Sequence, residues 1–293
     1  MFFLKNRNFI LPLAFVIGLS FPALAQYTKS LTIPALALIM TVSLSDISTK
    51  DMMQLRQLSR PLLLGVLFNY ILLGSLILIF TFLFIPDTML QIGMILVAAA
   101  PPGVAIIPFT AILSGNILLS LFATFGAYLS AIIITPALVL ILSDAQTFPF
   151  SGLILNLFYL IILPILFSRI LHQKKILIFL KSWKGTIVNW GFFVVTFTVI
   201  GLNQASFFQD YNNLLRISLI AFLTTFPLFH LLRFLFKKLN INKGDAVSMM
   251  LLGTIKNSGF ASALALSLFD QGASIPGAII SAIYTIYMIW LGK

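Results

Sequence analysis

The chain has 293 residues, of which 60% are hydrophobic and only 9% are charged. Soluble domains carry about 25% charged residues, so this composition excludes a soluble fold. There is no cysteine and no glutamate, which excludes disulfides and thiolate chemistry and disfavours a carboxylate-rich metal site. The net charge of +11 comes from basic residues in short loops, so we attribute it to membrane topology and not to nucleic-acid binding.

Ten apolar stretches follow one another along the chain, and most approach the ~20 residues that a transmembrane helix needs. They cover residues 9–25, 31–45, 61–84, 89–112, 116–142, 152–170, 186–203, 213–236, 246–268 and 274–292. Little sequence remains between them for a soluble domain. The sequence therefore predicts an all-α polytopic membrane protein with ten transmembrane helices.

The basic residues give the predicted orientation. Of the 18 lysines and arginines, Lys29 and Arg216 fall in loops on one side, Lys256 falls inside the ninth stretch, and the other 15 fall in loops on the opposite side. Basic loops stay in the cytoplasm, so we predict an inner-membrane protein with both termini cytoplasmic. A cleavable signal peptide ending at Ala25 is the alternative for the first stretch, and it would leave nine spans.

The fourth and ninth stretches contain residues that interrupt a helix. The fourth carries Pro101, Pro102 and Gly103, followed by Pro108, and proline both lacks a backbone donor and clashes with the preceding turn. The ninth carries polar side chains over Lys256–Gly259 that compete with the helical hydrogen bonds. We predict that both helices unwind near the bilayer centre; simple kinks are the alternative.

The positions of the two interruptions indicate an internal repeat. Ser258 follows Pro102 by 156 residues, about half the chain, and each interrupted stretch is the fourth of five. An odd number of helices per half gives the halves opposite orientations, as in the inverted repeats of secondary transporters. We predict repeats over 1–145 and 146–293, whose freed backbone groups and helix dipoles bind ions and anions mid-membrane.

The stretches "AAAPPGVAIIPFTAILSGNILLS" at 98–120 and "KNSGFASALAL" at 256–266 resemble the fourth and ninth helices of the bile acid:sodium symporter-like family. The resemblance implies a core domain of helices 3–5 and 8–10, in which broken helices 4 and 9 cross. It also implies a panel domain of helices 1, 2, 6 and 7. Alternating access then moves one domain against the other.

The same resemblance assigns roles to single residues. Ser120 and Thr124 match sodium ligands of the family, and Asn69 stands where the family has a glutamine near a second sodium. Their expected role is ion binding or coupling. Asn257 matches an amide near the substrate, and Gly103 lies in the matching break of the fourth helix.

Other positions depart from the family pattern. Ile106 and Ile107 replace a Ser-Asn pair, Leu252 replaces an acidic residue, and Lys256 replaces a glutamine. Two sodium ions need oxygen ligands and negative charge, so these changes argue against a two-sodium site, and we expect no cofactor and no metal. The Lys256 ammonium could take over the electrostatic role of sodium and bind or release a proton. The alternative is a lysine that snorkels to the membrane surface or that pairs with backbone carbonyls as a structural cation.

The resulting hypothesis is a secondary transporter of a small or amphipathic organic anion that is proton-coupled, a uniporter or an exchanger. The candidate substrate-binding residues are Lys256, Asn257, Ser258, Gly103 and Thr110, and the candidate coupling residues are Lys256, Ser120, Thr124 and Asn69. A symporter with one sodium ion at Ser120 and Thr124, and a non-transporting receptor or scaffold, are the alternatives.

Other features of the sequence carry smaller expectations. No catalytic constellation is present, so an enzyme is not expected. The expected partners are the organic anion and the lipid bilayer, without nucleic acid, for a monomer or homodimer. Tyr287 and Trp290, near the end of the last stretch, are predicted to be interfacial anchors.

Overall fold

A computed structural model describes residues 6–45, 55–143, 150–269 and 271–292, and these residues form helices and no β-strand. The helices are α1 Arg7–Ser20, α2 Pro22–Thr28, α3 Thr32–Leu44, α4 Leu55–Val66, α5 Ser75–Phe84, α6 Thr88–Ala99, α7 Ile106–Ile112, α8 Ile117–Leu142, α9 Phe150–Leu157, α10 Leu163–Leu171, α11 Lys174–Leu202, α12 Gln204–Gln209, α13 Tyr211–Leu223, α14 Phe226–Lys238, α15 Lys243–Leu252, α16 Ser258–Leu268 and α17 Gln271–Leu291. A π-helix at Leu67–Gly74 joins α4 to α5, and another at Phe158–Ile162 joins α9 to α10. The predicted boundary between the repeats, at residues 145 and 146, lies outside the described residues.

Seven continuous helical segments of the described chain are long and apolar enough to cross a membrane. They are Pro22–Leu44, Ser59–Phe84, Ile117–Leu142, Phe150–Leu171, Ser182–Leu202, Tyr211–Lys238 and Gln271–Leu291. Three shorter apolar helices, Phe9–Ser20, Thr88–Ala99 and Ser258–Leu268, accompany them. The prediction of an all-α polytopic membrane protein is confirmed.

The outward surfaces of these helices are apolar, as a lipid environment requires. Leu63, Ile133 and Ile141 are 70%, 74% and 76% exposed. Exposed apolar surface on this scale is unfavourable in water, so these side chains face lipid.

The first two helical segments meet at a different place from the one predicted. The sequence placed Pro22 inside the first span and Lys29 in a loop, but α1 ends at Ser20 and Pro22 opens the next segment. Proline has no backbone N–H to donate, so it is well tolerated in the first turn of a helix and breaks the helix that precedes it. Lys29 instead begins a 3₁₀ turn within Pro22–Leu44, and Ala25, the cleavage position in the signal-peptide alternative, is buried in α2.

Glycines bring the helices that carry the candidate site into close contact. A Cβ at Gly65 of α4 would lie 2.2 Å from the carbonyl oxygen of Ala123 on α8. A Cβ at Gly126 of α8 would lie 1.8 Å from Cδ2 of Leu62. Small residues allow such close backbone packing in membranes. This contact fixes α8, which carries the hydroxyls of the candidate sodium ligands, against the segment that leads to Asn69.

Candidate functional site

Both predicted helix interruptions are present, and they touch. In the fourth stretch, helix α6 ends at Ala99 and α7 begins at Ile106. In the ninth stretch, α15 ends at Leu252 and α16 begins at Ser258. Pro102 and Lys256 form an antiparallel bridge. In this bridge the Gly103 amide donates to the Ile255 carbonyl at 3.2 Å, and the Asn257 amide donates to the Pro101 carbonyl at 2.8 Å. Each break therefore satisfies backbone groups of the other, as an irregular segment away from water must.

The bridge also explains the glycine at position 103. A Cβ there would lie 2.9 Å from Cγ2 of Ile255 and 3.2 Å from the carbonyl oxygen of Lys256. The absence of a side chain lets the two backbones approach to hydrogen-bonding distance.

The Lys256 side chain lies in an enclosed group of oxygen atoms. It is 1% exposed, and its Nζ donates to the Ala98 carbonyl at 2.6 Å, the Ala100 carbonyl at 2.9 Å and Oδ1 of Asn69 at 2.9 Å. An ammonium has three N–H donors, so each of them has an acceptor. Nζ also lies 4.4 Å from the centre of the Tyr70 ring, a distance at which a cation–π attraction operates. This burial contradicts the snorkelling alternative, whereas the contacts with the Ala98 and Ala100 carbonyls match the other alternative, a structural cation paired with backbone carbonyls.

The contacts of Lys256 follow from where the surrounding helices end. The last carbonyls of a helix have no partner within it and carry its partial negative charge. Ala98 and Ala100 lie at the end of α6. The ammonium therefore donates hydrogen bonds to the free carbonyls of this terminus and compensates its partial negative charge. Asn69 belongs to the π-helix, and its Nδ2 donates to the Leu252 carbonyl at the end of α15 at 3.4 Å. Lys256 and Asn69 thereby donate hydrogen bonds to the carbonyls at the breaks of both interrupted helices.

Three tyrosine hydroxyls, which the sequence analysis did not predict, form hydrogen bonds with residues in or next to the two helix breaks. The Tyr128 hydroxyl donates to the Pro102 carbonyl at 2.8 Å and accepts from Nδ2 of Asn257 at 2.9 Å. The Tyr284 hydroxyl accepts from the Lys256 amide at 3.2 Å. Tyr287 is fully buried and donates to Oγ1 of Thr254 at 3.1 Å, so the prediction that it anchors at the interface is wrong. A hydroxyl within an apolar stretch is the signal that could have found them, because a buried tyrosine needs a polar partner.

Of the two candidate sodium ligands on α8, Ser120 belongs to a second polar group and Thr124 does not. Oγ of Ser120 and Oγ1 of Thr110 are 2.7 Å apart, and Thr110 also donates to the Ile106 carbonyl at 2.8 Å. Thr124 is 2% exposed, and its Oγ1 has no hydrogen-bond partner among the described residues. Ile106 and Leu252 are fully buried. Because their side chains are hydrocarbon, they supply no oxygen ligand at these two positions.

Two cavities adjoin the crossing. A small one of about 50 Å³ is lined by Gly103, Lys256, Asn257 and Ser258, four of the five candidate substrate-binding residues. Thr110, the fifth, does not line it. A larger cavity of about 620 Å³, which Ile107 and Lys184 line, shares Val104, Ala105, Phe192 and Met288 with the small one. A volume of this size suits a small organic ligand.

The chain matches the model of the SBF-like CPA transporter family over residues 8–289, nearly its whole length. The chain belongs to this family. The resemblance on the fourth and ninth stretches is thereby confirmed, and this SBF-like protein is a membrane transporter and not an enzyme. Among curated proteins it is similar to the uncharacterized sodium-dependent transporter YocS of Bacillus subtilis (strain 168). The two are 24% identical over 272 residues, which cover 91% of this chain and 83% of YocS.

Proposed function

We propose that this SBF-like transporter carries a small or amphipathic organic anion by alternating access, with Lys256 as a tethered cation in place of sodium. The observation that carries the proposal is the set of three oxygen acceptors, at 2.6–2.9 Å, around an ammonium that is shielded from solvent. Carbonyl and amide oxygens are also the ligands that a hard cation takes in proteins. A charge at this depth is costly, which argues against a placement without function.

The proposed architecture is ten transmembrane helices in two inverted repeats, over residues 1–145 and 146–293, with both termini cytoplasmic in an inner membrane. The contact between two helix breaks half a chain apart supports it. In this architecture the core contains helices 3–5 and 8–10, and the panel contains helices 1, 2, 6 and 7. The core then moves against the panel and opens the crossing to each side in turn.

The substrate site is proposed at the small cavity beside the start of α16, where Gly103, Asn257 and Ser258 lie. The polar side chains there are already paired: Oδ1 of Asn257 caps the Phe260 amide at 3.0 Å, and Ser258 hydrogen bonds with Ser281 at 2.8 Å. The three donors of Lys256 are also used. Lys256 therefore attracts the anion by its charge, and direct contact requires the rearrangement that alternating access supplies.

Sodium-dependent symport is the second candidate. The unpaired Oγ1 of Thr124, on the same helix and one turn beyond Ser120, is a buried oxygen that a bound ion would satisfy. The name of YocS, a sodium-dependent transporter, points the same way.

Transport into proteoliposomes separates these mechanisms. Carboxylates and sulfonates that stabilise the purified protein in a thermal-shift screen would serve as substrates, with sodium and pH gradients imposed separately. We expect uptake that does not need sodium and that Lys256→Gln abolishes. The control is Lys29→Gln, which makes the same charge change at an exposed lysine and is expected to leave uptake intact. Uptake driven by sodium at fixed pH would contradict the lysine mechanism and support the second candidate.

A further inference from the structure

A second positively charged feature lies away from the crossing, where α14 ends and α15 begins. A groove of about 920 Å³ is lined by Arg233, Lys237 and Lys243. All three are exposed, and within the described parts of the chain none of their side chains has an ion-pair partner or a hydrogen bond. We call this surface the basic groove.

The remaining walls of the basic groove are mostly apolar. Phe229 and Phe236 line it from α14, Val247 and Met250 line it from α15, and Leu113 lines it from the end of α7. No acidic side chain is among its lining residues in the described structure. One end of a ligand would therefore meet cations, while the other would meet hydrocarbon.

The surroundings identify which ligand has both properties. On the other faces of α14, Leu231 and Phe234 are 53% and 64% exposed, so the helix borders lipid. A basic pocket beside lipid-facing helices matches the headgroup of an anionic phospholipid, with an acyl chain along the apolar wall. We propose that the basic groove binds an anionic phospholipid through its phosphate.

The position of the groove gives this lipid access to the moving parts. Leu113 and Ser114 follow α7, and Val247 belongs to α15, so the groove touches one half of each interrupted helix. The two halves pack closely: a Cβ at Gly115 would lie 2.8 Å from Cγ1 of Val247. A bound lipid would hold this pair of half-helices together. The proposal is independent of the anion that the protein transports.

Lipid binding to the purified full chain in detergent tests the proposal, with bound lipid counted by native mass spectrometry. The probes are dioleoyl phosphatidylglycerol, dioleoyl phosphatidylcholine with the same chains, and glycerol phosphate as a headgroup alone. We expect phosphatidylglycerol to bind in preference to phosphatidylcholine. One cation near a membrane surface contributes about 1 kcal/mol, so Lys237→Gln is expected to weaken phosphatidylglycerol binding about fivefold.

The matched control is Lys238→Gln, which removes an equal charge from the next residue of α14, outside the groove lining. It is expected to leave binding unchanged, whereas the triple variant Arg233→Gln/Lys237→Gln/Lys243→Gln is expected to lose the preference for phosphatidylglycerol. Equal binding of the two phospholipids would overturn the proposal. So would equal losses in Lys237→Gln and Lys238→Gln, or glycerol phosphate binding as well as the lipid. Unliganded thermal unfolding checks that each variant is folded.

Discussion

Lys256 and the basic groove present the same charge in opposite surroundings. Lys256 is buried, and three oxygens and an aromatic ring surround its ammonium. Arg233, Lys237 and Lys243 are exposed, and their charges have no partner among the described residues. A buried cation must have its partners within the protein because leaving any donor unpaired is costly. A cation at the membrane border remains available to a ligand, which is why we propose a transport role for the first cation and a docking surface for the others.

The largest effect in this comparison is expected from Lys256→Met, which removes the terminal amine with its charge and leaves an unbranched apolar side chain. Three buried acceptors, at Ala98, Ala100 and Asn69, lose their donor, and each unpaired group costs about 1–3 kcal/mol. We expect a loss of ~3 kcal/mol or more in stability, together with loss of transport. Thermal unfolding in detergent measures it, with Lys238→Met as the control; equal midpoints for the two variants would refute the assigned contacts.

A smaller effect is expected from Asn69→Leu, which removes one acceptor from the ammonium and the long hydrogen bond from Nδ2 to the Leu252 carbonyl. Hydrogen bonds to charged groups contribute about 1.5–3 kcal/mol, so we expect a loss in that range. Asn156→Leu is the matched control, because Nδ2 of Asn156 donates to a neutral hydroxyl, Oγ of Ser267, at 2.9 Å. Its expected cost is about 1 kcal/mol. If both variants unfold at the same temperature, the contact between Asn69 and Lys256 has no special strength.

Tyr128→Phe tests how much the neutral hydrogen bonds at the crossing contribute to stability, without a change in charge. The variant removes the donor to the Pro102 carbonyl and the acceptor for Asn257, and leaves the ring in place. We expect a loss of about 1–3 kcal/mol, the sum for two neutral hydrogen bonds. Thermal unfolding measures it. Tyr159→Phe, at a tyrosine that is 41% exposed, is expected to show no change, and a similar shift in both variants would count against the prediction.

The smallest effect is expected from Thr124→Val, which replaces a buried hydroxyl with a methyl group of similar shape. Because Oγ1 has no hydrogen bond among the described residues, its removal is expected to change stability by less than about 0.5 kcal/mol or to increase it. Transport without sodium is also expected to be unchanged. Ser120→Ala, which breaks the contact with Thr110, is the comparison and is expected to cost about 1 kcal/mol. A sodium-dependent activity that Thr124→Val abolishes would show that this hydroxyl is an ion ligand.

Much of the fold was predictable because membranes impose simple local rules. Long apolar stretches predicted the spanning helices, and Pro101, Pro102 and Gly103 predicted the first break, since proline cannot continue a helix. The prediction at Pro22 is wrong, because this proline starts a helix instead of lying inside one. Of the predicted site, Lys256 and Asn69 are in contact, whereas Thr110 pairs with Ser120 away from the small cavity.

The sequence by itself determined that the chain is a helical membrane protein, that two of its helices are interrupted, and that one interruption carries a cation. These properties depend on composition and on backbone constraints over a few neighbouring residues. The tertiary structure decided what the cation contacts: Asn69 lies 187 residues from Lys256 in the chain, and the carbonyls of Ala98 and Ala100 lie 158 and 156 residues away. It also buried Tyr287, which the sequence had placed at the interface. Every residue has a carbonyl, so only the packing of the helices selects which of them face the ammonium.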